Sequence, residues 1–440
     1  MKGGHAVEKA IYAGAGKCDI LFAEEEFPFR EGRNDYWTGI HDVLKARAVM
    51  LRAGDSLLIE SVETVILDRE MTAEIKSRIS QAVGLPPDRI FLAATHTVSA
   101  PHLIIRDHNP KDENERSARM REAIYEAAVN AAGAAAADLQ PAKLGFAVGS
   151  CGVNANRNIP TKNGWWKGVA ETLPSDHDVP VLRIDRANGE PLALLYSFSV
   201  ELAVMDGAVM SDGGRHVTAD LSGAASAFVE EQLGEGFTAL FLPGLSTDQT
   251  PRLRALRTVQ GRNGETRTED LHEEGWLLLR LQGEQLGEQV LLTAERVEPV
   301  RADGELRIAA RSDVYPGQRF RGPGIPNPMD GPILNWQSTP DEDKTAPVEA
   351  VKIGDVILAC VAGIGAESGL AIKEELKNEK LMLVSGISGS APKRKTDGEK
   401  YMMRAWHYDE GTFCARNSGF GRGAAEQYEK HALALIRTLL

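Results

Sequence analysis

The sequence predicts an α/β protein whose mixed β-sheets are flanked by helices. Three observations carry this. Short apolar runs of strand length alternate with segments of helical periodicity along most of the chain. Two pairs of runs double back at glycine-containing tight turns, which makes antiparallel hairpins. Elsewhere a helical segment separates successive runs, which makes crossovers between parallel neighbours.

Taken in order, AVMLRAGDSLLIESVETVIL (48–67) reads as a hairpin turning at Ala53-Gly54-Asp55. MTAEIKSRISQAVGL carries apolar residues at helical spacing, and Gly84 and Pro86 stop it. A buried strand follows at 90–94. The long helix through ERSARMREAIYEAAVNAAGAAAADL comes next, its alanines making it a strong intrinsic helix former. KLGFAVGSCGV is a further strand, and VPVLRIDRANGEPLALLYSFSVEL a second hairpin turning at Ala187-Asn188-Gly189. A helix at 221–233 leads into the buried strand FTALFLPG, and another helix runs from about 271 to 295. The Pro-, Gly- and Asp-rich stretch 312–348 reads as a long loop, either an active-site wall or a flap. EAVKIGDVILACVAG reads as a strand, followed by a helix from about 367, the strand KLMLVSGI and a C-terminal helix. No repeat or composition shift marks a boundary. The chain is therefore expected to be one catalytic domain over 1–440, or two intimately packed halves at about 1–300 and 301–440. Gly14-Ala15-Gly16 lacks the third glycine and the following helix of a dinucleotide fingerprint.

A composition of 42% hydrophobic and 26% charged residues is that of a globular protein. The net charge of −13 and pI near 5.4 argue against nucleic-acid and membrane partners, since both require a basic face. The expected partner is a small-molecule or oligosaccharide substrate, and a homo-oligomer is permitted. Four cysteines lie far apart, which fits neither a zinc ribbon nor a disulfide framework. MKGGHAVEKAIYAG has no apolar signal core, and no apolar run approaches roughly 18 residues, so a cytoplasmic location is expected.

Chemistry concentrates where strands end. FLAATHTVSAPHLIIRD (91–107) is a short apolar run that breaks into polar residues, with His96 at the break and His102 beyond Pro101. Strand ends of open α/β sheets gather ligands and reacting groups. Similar polar breaks occur at TGIHDVLKARAVML (38–51), NANRN (154–158), TADLSG (218–223) and TDQTP (247–251), with AGAGKCDI (13–20) at the start.

In this order the six segments resemble the catalytic domain of neutral ceramidases and their bacterial relatives. That family shows GxGxxDIT, GIHxxxxARA, ATHTHSGP, an Asn-Arg segment, SADxxG and GDxSP. The resemblance covers most of the chain and is clearest in the first 255 residues. The immunoglobulin-like C-terminal domain that full-length ceramidases carry is not expected here. The resemblance implies the family's mixed α/β fold and an amide-cleaving site built on a metal ion held by histidines, a glutamate and a tyrosine. His96 matches the first histidine of ATHTH, a metal ligand. Val98 stands where the motif's second histidine would act. Glu201, in SVELAVM, stands where another histidine ligand would be, and Glu367, in GIGAE, matches the glutamate. Tyr401 and Tyr408 are the candidates for the tyrosine. Thr250 in TDQTP matches the nucleophilic serine and Arg157 in NANRN the substrate-positioning arginine. Asp220 keeps an acidic residue before a helix, where it can cap the first turn, and His216 is a substitute ligand candidate.

The expected metal ligands are therefore His96, Glu201 and Glu367. One histidine and two carboxylates suit Zn²⁺ or a harder ion such as Mn²⁺. The function expected first is a metal-assisted hydrolase of an amide or related acyl bond in a soluble, anionic or polyhydroxylated substrate. Its catalytic residues would be His96, His102, Arg157, Thr250 and Tyr408. Asn156, Trp166, Arg252 and Arg254 would bind substrate, with Trp165 and Trp166 as a sugar-stacking wall. The alternative is a lyase that opens a uronate-containing carbohydrate by proton abstraction, which needs a cation on the carboxylate, one base and one acid. A non-catalytic binding scaffold ranks last.

Overall fold

The computed structural model describes residues 10–31, 35–103, 105, 111–162, 164–260, 266–301, 306–321, 337–385 and 401–440. Its spine is a mixed nine-stranded sheet. Eight strands follow one another in the order Thr238–Pro243, Pro191–Phe198, Asp178–Arg186, Gln140–Ser150, Tyr12–Ile20, Leu44–Ala53, Asp55–Val62 and Ile90–Ala94. Val300–Arg301 adds a short ninth beside Gln140–Ser150. The two outermost pairs are parallel and the five inner pairings antiparallel. Both predicted hairpins are present, and each parallel pair is made by a helical crossover, Arg69–Val83 on one side and Asp220–Leu233 on the other. The sheet curls, so Thr238–Pro243 also approaches Leu44–Ala53, Asp55–Val62 and Ile90–Ala94.

Alternation along the strands sends side chains to two different cores. Ala46, Ala48, Met50 and Leu58 pack under the helices Arg69–Val83 and Lys111–Ala137, against Ile75, Ile79, Ile124 and Ala128. Val49, Leu51, Leu57 and Ile59 face the other way, onto Val351, Val356, Leu358 and Val384 of a second sheet. That sheet has four strands, Leu306–Arg321, Gln337–Ile353, Val356–Val361 and Lys380–Ser385. Helices Asp220–Leu233 and Gly275–Glu295 cover the remaining part of the spine around Val181, Leu194 and Phe241.

Local signals account for the element ends. Asp68 caps Arg69–Val83 by accepting from the Met71 N–H at 2.8 Å, and Gly84 ends it at φ 68°. Gly14 and Gly16 have a packing role. A Cβ at either would stand 2.2 Å from the Ala135 carbonyl oxygen or 2.4 Å from that of Ala131. Two glycines on one strand face therefore let the alanine-rich helix lie directly on the backbone.

Two expectations are corrected, and four strands appear that the sequence did not announce. Tyr12–Ile20 is a central strand, and Asn154–Thr161, Gly164–Ala170 and Gln249–Pro251 form a small sheet of their own, although their glycine, asparagine and tryptophan content hides the strand pattern. EAVKIGDVILACVAG is two strands, split by a turn with Gly354 at φ 62°. The stretch read as a loop over 312–348 belongs, where described, to a long antiparallel ribbon running from Leu306↔Ile353 to Arg321↔Gln337. A ribbon open to solvent tolerates the prolines and charges that suggested a loop. Arg319, for example, pairs with Asp341 across it at 3.2 Å. Residues 322–336 lie outside the described residues. Among the described residues no helix is long and apolar enough to cross a membrane.

Candidate functional site

The chain leaving Ile90–Ala94 meets the chain leaving Pro191–Phe198. Thr97 bridges Leu202, and the Val98 N–H donates to the Leu202 carbonyl at 3.1 Å. This joins the His96 segment to the Glu201 segment. His96 itself sits in the left-handed region at φ 64°, a conformation a non-glycine residue keeps when its surroundings over-determine it. Its N–H donates to the Thr64 carbonyl at 3.0 Å, and its Nδ1 lies 2.8 Å from the Val65 carbonyl. A carbonyl can only accept, so Nδ1 carries the proton and neutral His96 presents an unprotonated Nε2.

Glu201 is the centre of the charge arrangement. It is 8% exposed, and Arg157, 3% exposed, donates from Nη1 to its Oε1 at 2.9 Å. Lys167 places Nζ 3.3 Å from Oε2. Burial pushes the Glu201 carboxyl up, but the charges of Lys167, Arg157 and Arg254, with His96 acting in the same direction, hold it well below the ordinary carboxylate range. Arg157 is fixed from several sides. Its N–H donates to the Asp248 carbonyl at 2.7 Å, its Nε contacts Cys414 Sγ at 3.4 Å, and its guanidinium lies 5.1 Å from the Tyr401 ring centre.

The TDQTP loop reaches the same place. Gln249–Pro251 pairs with Asn154–Thr161, placing Thr250 opposite Ala155, and the Glu201 N–H donates to the Gln249 carbonyl at 3.3 Å. Thr250 is buried, and its hydroxyl has no hydrogen-bond partner among the described residues. Asp248 has a structural role. Its carboxylate accepts from the Ala366 N–H at 2.9 Å, Gln249 Nε2 at 3.0 Å and Asn156 Nδ2 at 3.2 Å, tying the start of helix Ala366–Glu375 to the site. Asp220 does the same on the other side. It accepts from Ser99 Oγ at 2.7 Å and from the Val204 and Met205 N–H groups at 3.0 Å.

The expected ligand set does not assemble. Glu367 stands in the first turn of Ala366–Glu375, and its carboxylate accepts from Trp406 Nε1 at 2.8 Å and from Arg404 at 3.4 Å. The oxygens of Glu201 face Arg157 and Lys167. Among the described residues no three His, Cys, Asp or Glu side chains are placed to hold a metal ion. An ion on Glu201 would have to displace the ammonium and guanidinium that already neutralise this carboxylate, and both repel it. The residues present do not fit the Zn²⁺ or Mn²⁺ expected from the sequence.

Other expected residues also take different places. Asn156 is buried and spent internally, donating to the Pro174 carbonyl at 2.9 Å and accepting from Asn158 at 3.0 Å. Tyr408 is buried, hydrogen-bonded to Ser418 Oγ at 3.1 Å, and burial pushes its phenol up, which suits a core side chain. His102 is tied to Glu31, whose carboxylate accepts its N–H at 2.6 Å. Arg252 pairs with Glu171 at the surface, whereas Arg254 pairs with Asp206 at 2.9 Å and acts on Glu201. His216 is held by Asp212 at 2.9 Å. Neighbouring residues of a strand point to opposite faces, so Trp165 and Trp166 cannot form one wall. Trp166 is half-buried, while Trp165 packs against Trp406 with ring centres 6.2 Å apart. Sequence reasoning missed Lys167, which had no motif around it, and Arg416. The Nε and Nη1 of Arg416 are buried without hydrogen-bond partners among the described residues, while Nη2 donates to the Trp165 carbonyl. The loose matches around 393–400 lie outside the described residues.

No family model and no curated protein matches the chain. Solved structures do. A ceramidase solved as a complex with C2 superposes at a TM-score of 0.71 with 17% identity, over 98% of this chain and 76% of that one. Neutral ceramidase from Pseudomonas aeruginosa superposes at 0.70, also with 17% identity, over 98% of this chain and 74% of that one. The chain has the mixed α/β fold of these neutral ceramidase structures.

Proposed function

We propose that the protein is a hydrolase of an amide or related acyl bond in a substrate that carries anionic or hydroxyl groups. The observation that carries this reading is the buried, unpartnered Thr250 hydroxyl on a strand paired to the one bearing Arg157, beside Glu201. The likeness to ceramidase structures supports it as a fold that holds such chemistry. In this reading Thr250 Oγ1, or a water in its place, adds to the carbonyl carbon. His96 Nε2 takes the proton, since Nδ1 is committed to Val65, and returns it to the leaving nitrogen as the carbon–nitrogen bond breaks; where Thr250 has attacked, water then hydrolyses the resulting ester by the same proton route. The oxygen that becomes negative is met by positive charge gathered around Glu201, with Arg157 held rigidly for it.

The lyase reading is kept because one observation favours it. A carboxylate next to the abstracted proton needs protein cations, and the site offers Arg157, Lys167 and Arg254 around a single glutamate. Product mass spectrometry in ¹⁸O-water with amide and uronate-oligosaccharide libraries separates the two. Hydrolysis places one solvent oxygen in the product, while elimination adds none and leaves a carbon–carbon double bond. Thr250→Ala is expected to lower amide hydrolysis by about 10²-fold or more and Thr250→Ser to retain it; the hydroxyl has no hydrogen-bond partner among the described residues, so the two variants, which both lose the buried methyl, should melt close to each other. A Thr250→Ala protein with full turnover rules out threonine as the nucleophile.

A further inference from the structure

Lys167 stands out as a second cation, beside Arg157, on the one buried carboxylate of the centre. It lies on Gly164–Ala170, opposite Asn158, and its side chain is only 14% exposed. Its ammonium is 3.3 Å from Glu201 Oε2, yet that oxygen accepts no hydrogen bond, and Lys167 donates none among the described residues. The ammonium is therefore held to Glu201 by charge, and its N–H donors stay open to an incoming oxygen beside the residues of the reaction. Glu201 Oε2, by contrast, is buried without a hydrogen-bond partner among the described residues, and buried polar groups in native proteins are nearly always satisfied, so the centre is one partner short. That partner is not a metal ion, because the ammonium and Arg157 already face the Glu201 carboxylate and Arg404 and Trp406 hold Glu367.

We infer that Lys167 is the fixed cation of this centre. It donates to an oxygen of the substrate's acyl or carboxylate group, the task the sequence assigned to a divalent metal, and the reaction proceeds without such a metal. The identity of that oxygen rests on the hydrolase reading above, whereas the absence of a metal requirement does not.

The experiment has two arms on the full chain. In the first, protein purified without added metal is analysed for Zn and Mn by mass spectrometry and melted with EDTA, Zn²⁺ or Mn²⁺. Fewer than about 0.1 equivalents and an unmoved midpoint are expected; about one equivalent, lost in Glu201→Gln or Glu367→Gln, overturns the inference. This arm needs no substrate, so it stands even if the hydrolase reading fails. In the second, Lys167→Met is expected to fold with a normal circular dichroism spectrum and to lose about 10²- to 10³-fold in kcat, the scale of one lost oxyanion donor, while Lys167→Arg keeps most of it. If no library member is turned over, calorimetric binding of D-glucuronate is read instead, present in the parent and lost in Lys167→Met. Equal turnover, or equal binding, in parent and Lys167→Met overturns the assignment, as does binding to neither.

Discussion

Removing the Glu201 carboxylate leaves Arg157 and Lys167 buried with their countercharge gone. Arg157 is 3% exposed and Glu201 8%, so water cannot step in fully. Breaking a buried pair by deleting one partner costs about 3–5 kcal/mol. Unfolding entropy of about 2.1 cal/mol/K per residue over the 440 residues amounts to about 0.9 kcal/mol/K, so Glu201→Ala should lower the melting temperature by about 3–5 °C. The effect belongs to the pair rather than to either residue. Arg157→Met should cost a similar amount, and the double variant should cost at least about 1 kcal/mol less than the sum of the two. Acid provides a second readout. The folded Glu201 carboxyl lies below its ordinary value of 4.5, so its stabilisation is fully present above that pH and is lost as the pH falls towards the folded value. The gap in stability between the parent and Glu201→Gln should be constant from about pH 5 to 8 and close on acidification below about 4.5. Urea denaturation at each pH measures it. Additive single and double variants, or a gap that does not change down to pH 3, would refute the argument that this carboxylate is ionised by its cationic neighbours.

Glu60 offers the opposite case. It is fully buried, both carboxylate oxygens lack a hydrogen-bond partner among the described residues, and burial pushes its carboxyl well above 4.5. The folded chain holds this proton more tightly than the unfolded chain, so its penalty is absent below about pH 4.5 and grows as the pH rises through the window to the raised value. Glu60→Leu should stabilise by about 1–3 kcal/mol at neutral pH and flatten the fall in urea midpoint above pH 4.5; a destabilised variant would show an unseen partner. Gly16→Val drives a Cβ to 2.4 Å from the Ala131 carbonyl and should destabilise by about 3 kcal/mol or more, read by thermal melting. Gly133→Ala, on the same helix with nothing within 4 Å, should instead gain about 0.5–1 kcal/mol.

The legible parts of the fold were those written in local pattern. The hairpins at 53–55 and 187–189, the stop at Gly84 and the alanine-rich helix all depend on residues within one or two turns of each other. Asn154–Thr161 and Gly164–Ala170 pair with each other, but their asparagine, glycine and tryptophan content lacks a strand pattern, and the third strand, Gln249–Pro251, joins Asn154–Thr161 from about ninety residues away. At the site, His96, Arg157, Glu201 and Thr250 could be named from motifs, and their segments do come together. Glu367, Asn156 and Tyr408 could not be judged from their neighbours in sequence, since what decides them is Arg404 and Trp406, Asp248, and Ser418 respectively.

By itself the sequence determined the kind of element most periodic segments make, the apolar runs that mark the buried strands, and the residue types available for chemistry. It could not determine what stands opposite those residues. The expectation that strand ends share one rim belongs to parallel sheets, yet five antiparallel steps separate Asp55–Val62 from Pro191–Phe198, so the strands leading to His96 and Glu201 run in opposite senses. Their meeting is made by a curled sheet and by a single bridge, Thr97 to Leu202. Whether Glu201 faces a metal or an ammonium is likewise a matter of which side chain lies about 3 Å away. That distance depends on Gln249–Pro251, which pairs with Asn154–Thr161 and accepts the Glu201 N–H from far along the chain, and local pattern carries no information about it.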